Sequence, residues 1–195
     1  MIGETIDDDL MRLRLLQALR VAGWLDRDRL AAAVADLDGI DIDAELAALT
    51  GAGSMRSVQT PKGQLHGLTP EGTATAERAL TGELRQRVLP EAAELVRLLD
   101  RFERADPVLK QVVTAFQRER SDAGAAAVAD FHAEHAGLLG EIGAAGALWA
   151  GYPQRFAGAV AAIESGQHDY VASPMLDSYH TLWHLLHREL RMFAG

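Results

Sequence analysis

The sequence predicts a mainly α protein in two parts, with one small β element in the first part. Three observations predict it. Apolar residues recur at helical spacing through most of the chain. One stretch, residues 54–68, breaks that period and carries turn chemistry. From Pro90 onward only helical patterns recur. Three helices followed by a hairpin is the element order of a winged helix-turn-helix. The expected fold class is therefore an N-terminal winged helix-turn-helix (three helices plus a β-hairpin wing) over residues 1–82, then an all-α helical bundle over residues 83–195.

The first helix is expected over Asp7–Gly23, with Leu10, Leu13, Leu16, Leu19 and Val21 as its stripe. Its acidic start suits the positive end of the helix dipole. Asp26 is the expected N-cap of a second helix to Leu37, and Asp41 or Asp43 of a third to Thr50. Gly51 and Gly53 can supply the left-handed conformation that stops it. Met55 and Val58 then belong to one strand, and Leu65 and Leu68 to its return. Thr60-Pro61-Lys62-Gly63 forms the turn between them. Thr69-Pro70 starts the next helix, with Thr as cap and Pro at the first position.

A connector helix is expected over Pro70–Val88, ended by Pro90. Five helices follow: Glu91–Arg104, Pro107–Arg120 opened by Asp106, Ala125–Trp149, Pro153–Glu164, and Asp177–Phe193 capped by Asp177.

The composition is that of an ordinary globular chain, with no run of apolar residues long enough to span a bilayer and no basic-then-apolar leader at Met1. The expectation is a cytoplasmic protein with no membrane partner. The absence of Cys removes disulfides, thiolate nucleophiles and Cys-based zinc sites. The net charge of −9 divides into −5 over residues 1–82 and −4 over residues 83–195. That field opposes non-specific binding to nucleic acid, so any DNA contact must come from a local patch.

In a winged helix-turn-helix the third helix normally enters the major groove. Here it reads DIDAELAALT, with Asp41, Asp43 and Glu45 and no basic residue. The hairpin is better supplied. Arg56 and Lys62 are its cations, and Gln59 stands among its hydrogen-bonding side chains. Arg27 and Arg29 start the second helix. These five residues, Arg27, Arg29, Arg56, Gln59 and Lys62, are the candidate DNA contacts; the alternative is a solvated surface.

Six of the seven histidines lie beyond residue 130. His132 and His135 share one helix. His180, His184 and His187 share the last, where about 100° per residue places them on a narrow stripe with Arg191. Together the five suit a metal such as zinc, copper or nickel, or haem iron, or an anionic ligand gripped near Arg188 or Arg191. The competing reading is a set of amphipathic side chains covering a core edge. Trp149, Tyr152, Phe156, Trp183 and Phe193 belong to the core or wall an apolar ligand pocket. No phosphate-cradling glycine loop, G-x-S-x-G or H-E-x-x-H is present, so no catalytic residue is assigned and no cofactor is named.

Arg155-Phe156 and the closing run Asp177, Ser178, Tyr179, His180, Thr181, Trp183 and His187 resemble an actinobacterial winged-helix family. Its members are labelled MarR-like regulators or phosphoenolpyruvate-utilising, pyruvate phosphate dikinase-like proteins. His184 departs from its pattern, which has an aromatic residue there. The chain lacks the phosphohistidine and nucleotide-grasp motifs that the dikinase label implies. Three functions are thus expected in turn: a homodimeric DNA-binding transcriptional regulator with a bundle that dimerises or senses a small-molecule effector; a winged-helix protein-interaction module; and a small metal- or haem-dependent enzyme using the histidines.

Overall fold

The computed structural model describes residues 2–194, without the side chains of residues 2–8, 82 and 83. The acidic start at Asp7 and Asp8 lies outside the described side chains. The chain is mainly helical with one small antiparallel sheet, and it divides into two compact units, residues 1–89 and 90–195. Among the described residues, no helix is long and apolar enough to cross a membrane.

The first unit opens with α1 (Ile2–Ala22), which starts before the expected Asp7 and ends at Gly23, held at φ 85°. Strand β1 (Trp24–Leu25) follows, then α2 (Arg27–Ala32) and α3 (Ile42–Gly51). Both helices begin where the sequence places a cap: Asp26 accepts from the Arg29 amide and Asp41 from the Ala44 amide. Helix α2 is shorter than expected, and residues 33–39 run as turns. Gly53, at φ 71°, turns the chain into β2 (Met55–Thr60) and β3 (Gly63–Leu68).

The sheet order is β1-β3-β2, all antiparallel. Met55 faces inward opposite Leu68, onto a core of Leu15, Leu16, Leu19, Leu30, Leu46 and Leu49. The connector expected over Pro70–Val88 is two helices, α4 (Pro70–Ala79) and α5 (Gly82–Val88). The Thr81 hydroxyl donates to the Arg78 carbonyl at the break, and Gly82 follows; both weaken a continuous helix there. Thr69 caps α4 through the Gly72 amide and donates to the Gly53 carbonyl. Gly72 lies so close to the chain entering β2 that a Cβ there would stand 1.8 Å from the Ser54 carbonyl oxygen.

The second unit is a bundle of α6 (Ala92–Glu119), α7 (Asp122–Ala145), α8 (Tyr152–Glu164) and α9 (Tyr179–Ala194). The break expected between Arg104 and Pro107 is absent: α6 runs straight through the proline. A buried stripe of Leu95, Leu98, Phe102, Leu109, Val113 and Phe116 spans it on one side while the Pro107 ring faces solvent. Packing along both halves on α7 and α9 offsets the lost hydrogen bond, worth ~3 kcal/mol in a helix interior. The helix expected to Trp149 stops at Ala145; Gly146 is extended and a 3-10 turn, Ala147–Trp149, carries Trp149 into the core.

Candidate functional site

The register of the sheet decides which hairpin side chains share a face. Trp24 and Arg56 both pair with Gly67, and Val58 pairs with Leu65. These five positions form the face turned away from the core. The Trp24 indole lies across β3: a Cβ on Gly67 would stand 2.8 Å from the ring. The Arg56 guanidinium reaches the same ring from β2, 5.3 Å from its centroid. Trp24 is 38% and Val58 40% exposed. On the opposite face Ser57 bonds His66 at 2.9 Å. Burial holds the His66 imidazole below its ordinary value, against the pull of Asp26.

The five candidate DNA contacts separate in this setting. Lys62 sits exposed at the hairpin apex, where its amide donates to the Thr60 hydroxyl. Gln59 is exposed beside it and bonds weakly to the Thr60 carbonyl at 3.4 Å. Arg56 is exposed and held over Trp24. Arg27 makes two bonds to Asp43, of 2.7 and 2.6 Å, which lift the guanidinium's pKa and lower the carboxylate's. Arg29 is half-buried on α2. Helix α3 shows solvent Asp43, Ala44, Ala47, Ala48 and Thr50. The Thr50 hydroxyl turns back to the Leu46 carbonyl, and Glu45 is buried against Arg12 at 2.6 Å. The exposed alanines supply no donor to a base edge.

In the bundle the five candidate histidines are spread rather than gathered. His132 approaches the Tyr179 hydroxyl at 3.4 Å; burial lowers its pKa, against Glu164. His135 stacks on Phe131, 4.1 Å between centroids, and Nδ1 meets the Phe131 carbonyl at 2.8 Å. His187 Nε2 meets Glu103 at 3.1 Å. His180 is half-buried and His184 exposed. Burial first holds both below the ordinary imidazole value, reinforced by His184 for His180 and by Arg188 and His187 for His184. Among the described residues, no three His, Asp or Glu side chains are grouped to hold one metal ion.

Carboxylates do reach the histidine stripe, from α6 rather than from the histidines' own helices. Glu103 accepts from His187 and Arg191, which lower its pKa. Asp106 accepts from the Trp183 indole at 3.1 Å and pairs with Lys110 at 2.6 Å. Burial would raise its pKa, but these partners pull it below the usual range. Deeper in, Glu189 accepts from the Trp149 indole at 2.9 Å and the Tyr152 hydroxyl at 3.0 Å. Arg155 bonds Asp177 at 2.8 Å and lies over the Tyr152 ring. The aromatic set expected to be core or pocket wall is core: Trp149, Tyr152, Phe156, Trp183 and Phe193 are buried, with Phe102 stacked on Trp183 at 3.9 Å.

Sequence reasoning missed the Trp24–Arg56 contact, the Asp106–Trp183 bond and the bonds of Glu189 to Trp149 and Tyr152. Each joins residues far apart in the chain, and helical spacing ranks only neighbours on one element. Gly67, inside the return strand, was the available signal for the first. Compared with known protein families, curated proteins and solved structures, the chain matches none.

Proposed function

We propose that the first unit is a winged helix-turn-helix module that touches duplex DNA through its hairpin, as part of a transcriptional regulator. The observation that carries this reading is topological. A two-residue strand between α1 and α2 pairs with the second hairpin strand, so the order α1-β1-α2-α3-β2-β3 closes with sheet order β1-β3-β2. A wing built this way projects Lys62 and Gln59 at its tip, with Arg56 behind them. Lys62 makes no ion pair among the described residues. Phosphate contact by these side chains positions a protein on DNA without reading sequence. Helix α3 contributes shape rather than donors. The bundle serves dimerisation or small-molecule sensing, and its RF and DSYHT-x-W residues resemble those of winged-helix regulators. Two-fold symmetry would bring two hairpins to one site.

The test is retardation of the DNA upstream of the protein's own gene at low salt. Arg56→Ala and Lys62→Ala should each weaken binding, and the Lys62 change should reduce the salt slope by about one. No retardation by the wild-type chain at low salt would overturn the assignment. Sedimentation velocity of the same sample reads the dimer.

One observation favours a second reading, a protein-interaction module. The outer face of α3 is Ala44, Ala47 and Ala48, its acids are engaged by Arg27 and Arg12, and no donor faces out. A helix face without a cation or an outward donor has little to offer a phosphate backbone or a base edge. Ala47→Arg distinguishes the two: it should strengthen DNA retardation under the first reading, and disrupt a purified partner complex under the second.

A further inference from the structure

The seven histidines sort by what their rings already do. His66 is bonded to Ser57, His132 to Tyr179 and His135 to the Phe131 carbonyl. His168 lies 3.6 Å from Asp122 and edge-on to Phe116. His187 is bonded to Glu103. His180 and His184 are the remainder: among the described residues neither ring makes a hydrogen bond or an ion pair.

These two stand one turn apart near the start of α9, with His180 half-buried and His184 exposed. Side chains at i and i+4 on a helix have Cβ atoms roughly 5–6 Å apart, so both rings can meet one atom between them. Both rings are neutral at neutral pH. Burial is the main cause for each; Lys110 acts in the same direction on both, as do His184 on His180 and Arg188 and His187 on His184, while Asp106 opposes. The positive end of the α9 dipole also disfavours an imidazolium in its first turn. A neutral ring offers a nitrogen lone pair, the form that ligates metals. Two histidines at i and i+4 on one helix face are a known zinc-ligand spacing.

We propose that His180 and His184 form a two-imidazole chelating site for a divalent late first-row transition metal, with water or an external ligand completing the coordination. Imidazole suits zinc, nickel and copper, and copper(II) binds tightest in the general affinity order. The absence of a third grouped protein donor among the described residues leaves the site open on its solvent side. The nearest fixed charges come from both helices. Asp106 and Lys110 on α6 are paired with each other, and Arg188 on α9 is exposed. Glu103 is occupied by His187 and Arg191 and does not compete for the ion. Because both ligands lie in the first turns of α9, the ion would clip that end of the helix. This site is independent of the DNA reading of the first unit.

The experiment titrates the full chain, free of any affinity tag, with Cu²⁺ and separately Ni²⁺, read by calorimetry and by paramagnetic broadening of the imidazole proton resonances. The expected result is one site, with His180 and His184 broadened before any other histidine. His180→Ala and His184→Ala should each weaken it by roughly tenfold or more, as loss of one of two ligands implies. His132→Ala and His187→Gln should leave it unchanged. His184 is exposed, so its variant tests the site without disturbing the core; circular dichroism verifies the fold. Equal affinity in the wild type and the His180→Ala/His184→Ala double variant, earlier broadening of another histidine, or no binding by the wild type would each overturn the proposal.

Discussion

Glu189 shows what a single buried acid does in the bundle. Its two oxygens take the indole N–H of Trp149 and the hydroxyl of Tyr152, residues that are themselves buried. Burial, reinforced by the nearby carboxylate, drives the Tyr152 phenol well above its ordinary pKa, so it remains a donor at any working pH. Glu189→Leu strands both donors, and each unsatisfied buried group costs about 1–3 kcal/mol. Urea unfolding should show a lower midpoint with an unchanged slope, and Tyr152→Phe should show a smaller loss. Protonation gives a second prediction. His132, His180 and His184 have folded pKa values below the ordinary 6.5. The unfolded chain therefore takes up protons first as pH falls below 6.5, and stability drops with it. Thermal melts should be flat from pH 8 to about 7 and decline below about 6.5. His184→Ala should shallow that decline. Glu103 and Asp106, held low by their partners, extend the loss only at more acidic pH, below the ordinary carboxylate range.

At the scale of elements, legibility follows how local the cause is. Asp26, Asp41 and Thr69 cap helices where the sequence says they should, because a cap bonds an amide two or three residues on. The hairpin was equally legible from Pro61 and Gly63. Strand β1 was not: two residues carry no period, and only β3, some forty positions on, makes Trp24–Leu25 a strand. Pro107 misled for the reverse reason, since a local breaker was overruled by a buried stripe on both sides of it. The histidine stripe was legible as a stripe, while its α6 partners were not, because they come from another helix. Pro107→Ala restores an amide to α6 at an exposed position, and should raise bundle stability by about 1–3 kcal/mol, net of the entropy regained by the unfolded chain. In the first unit, Gly67→Val cannot keep the Trp24 ring where it lies. Thermal unfolding should come earlier, and the Arg56–Trp24 contact should be lost.

The whole molecule is two bodies with separate cores. Residues 11–76 gather one around Leu15, Leu19 and Leu46; residues 95–193 gather another around Phe102, Trp149 and Trp183. Each exceeds the size at which a domain needs a metal or disulfide to fold. Residues 90–195 expressed alone should be helical by circular dichroism and unfold cooperatively in urea. A non-cooperative melt would show that the division at Leu89–Pro90 is not one of folding. The net charge of −9 bears on the DNA reading at this scale. A few hairpin cations neutralise few phosphates, so affinity should fall with added salt at a shallower slope than that of a basic domain of equal affinity.

The chain has three tryptophans. Two are sunk in the bundle against carboxylates, and the third lies open to water over Gly67, with a guanidinium resting on it. Nature has thus fitted the hairpin with its own optical probe. Trp24 is the sole indole in residues 1–89 and the one that iodide can reach, so a duplex or a protein settling on that sheet would change the quenchable share of the emission without any label being added.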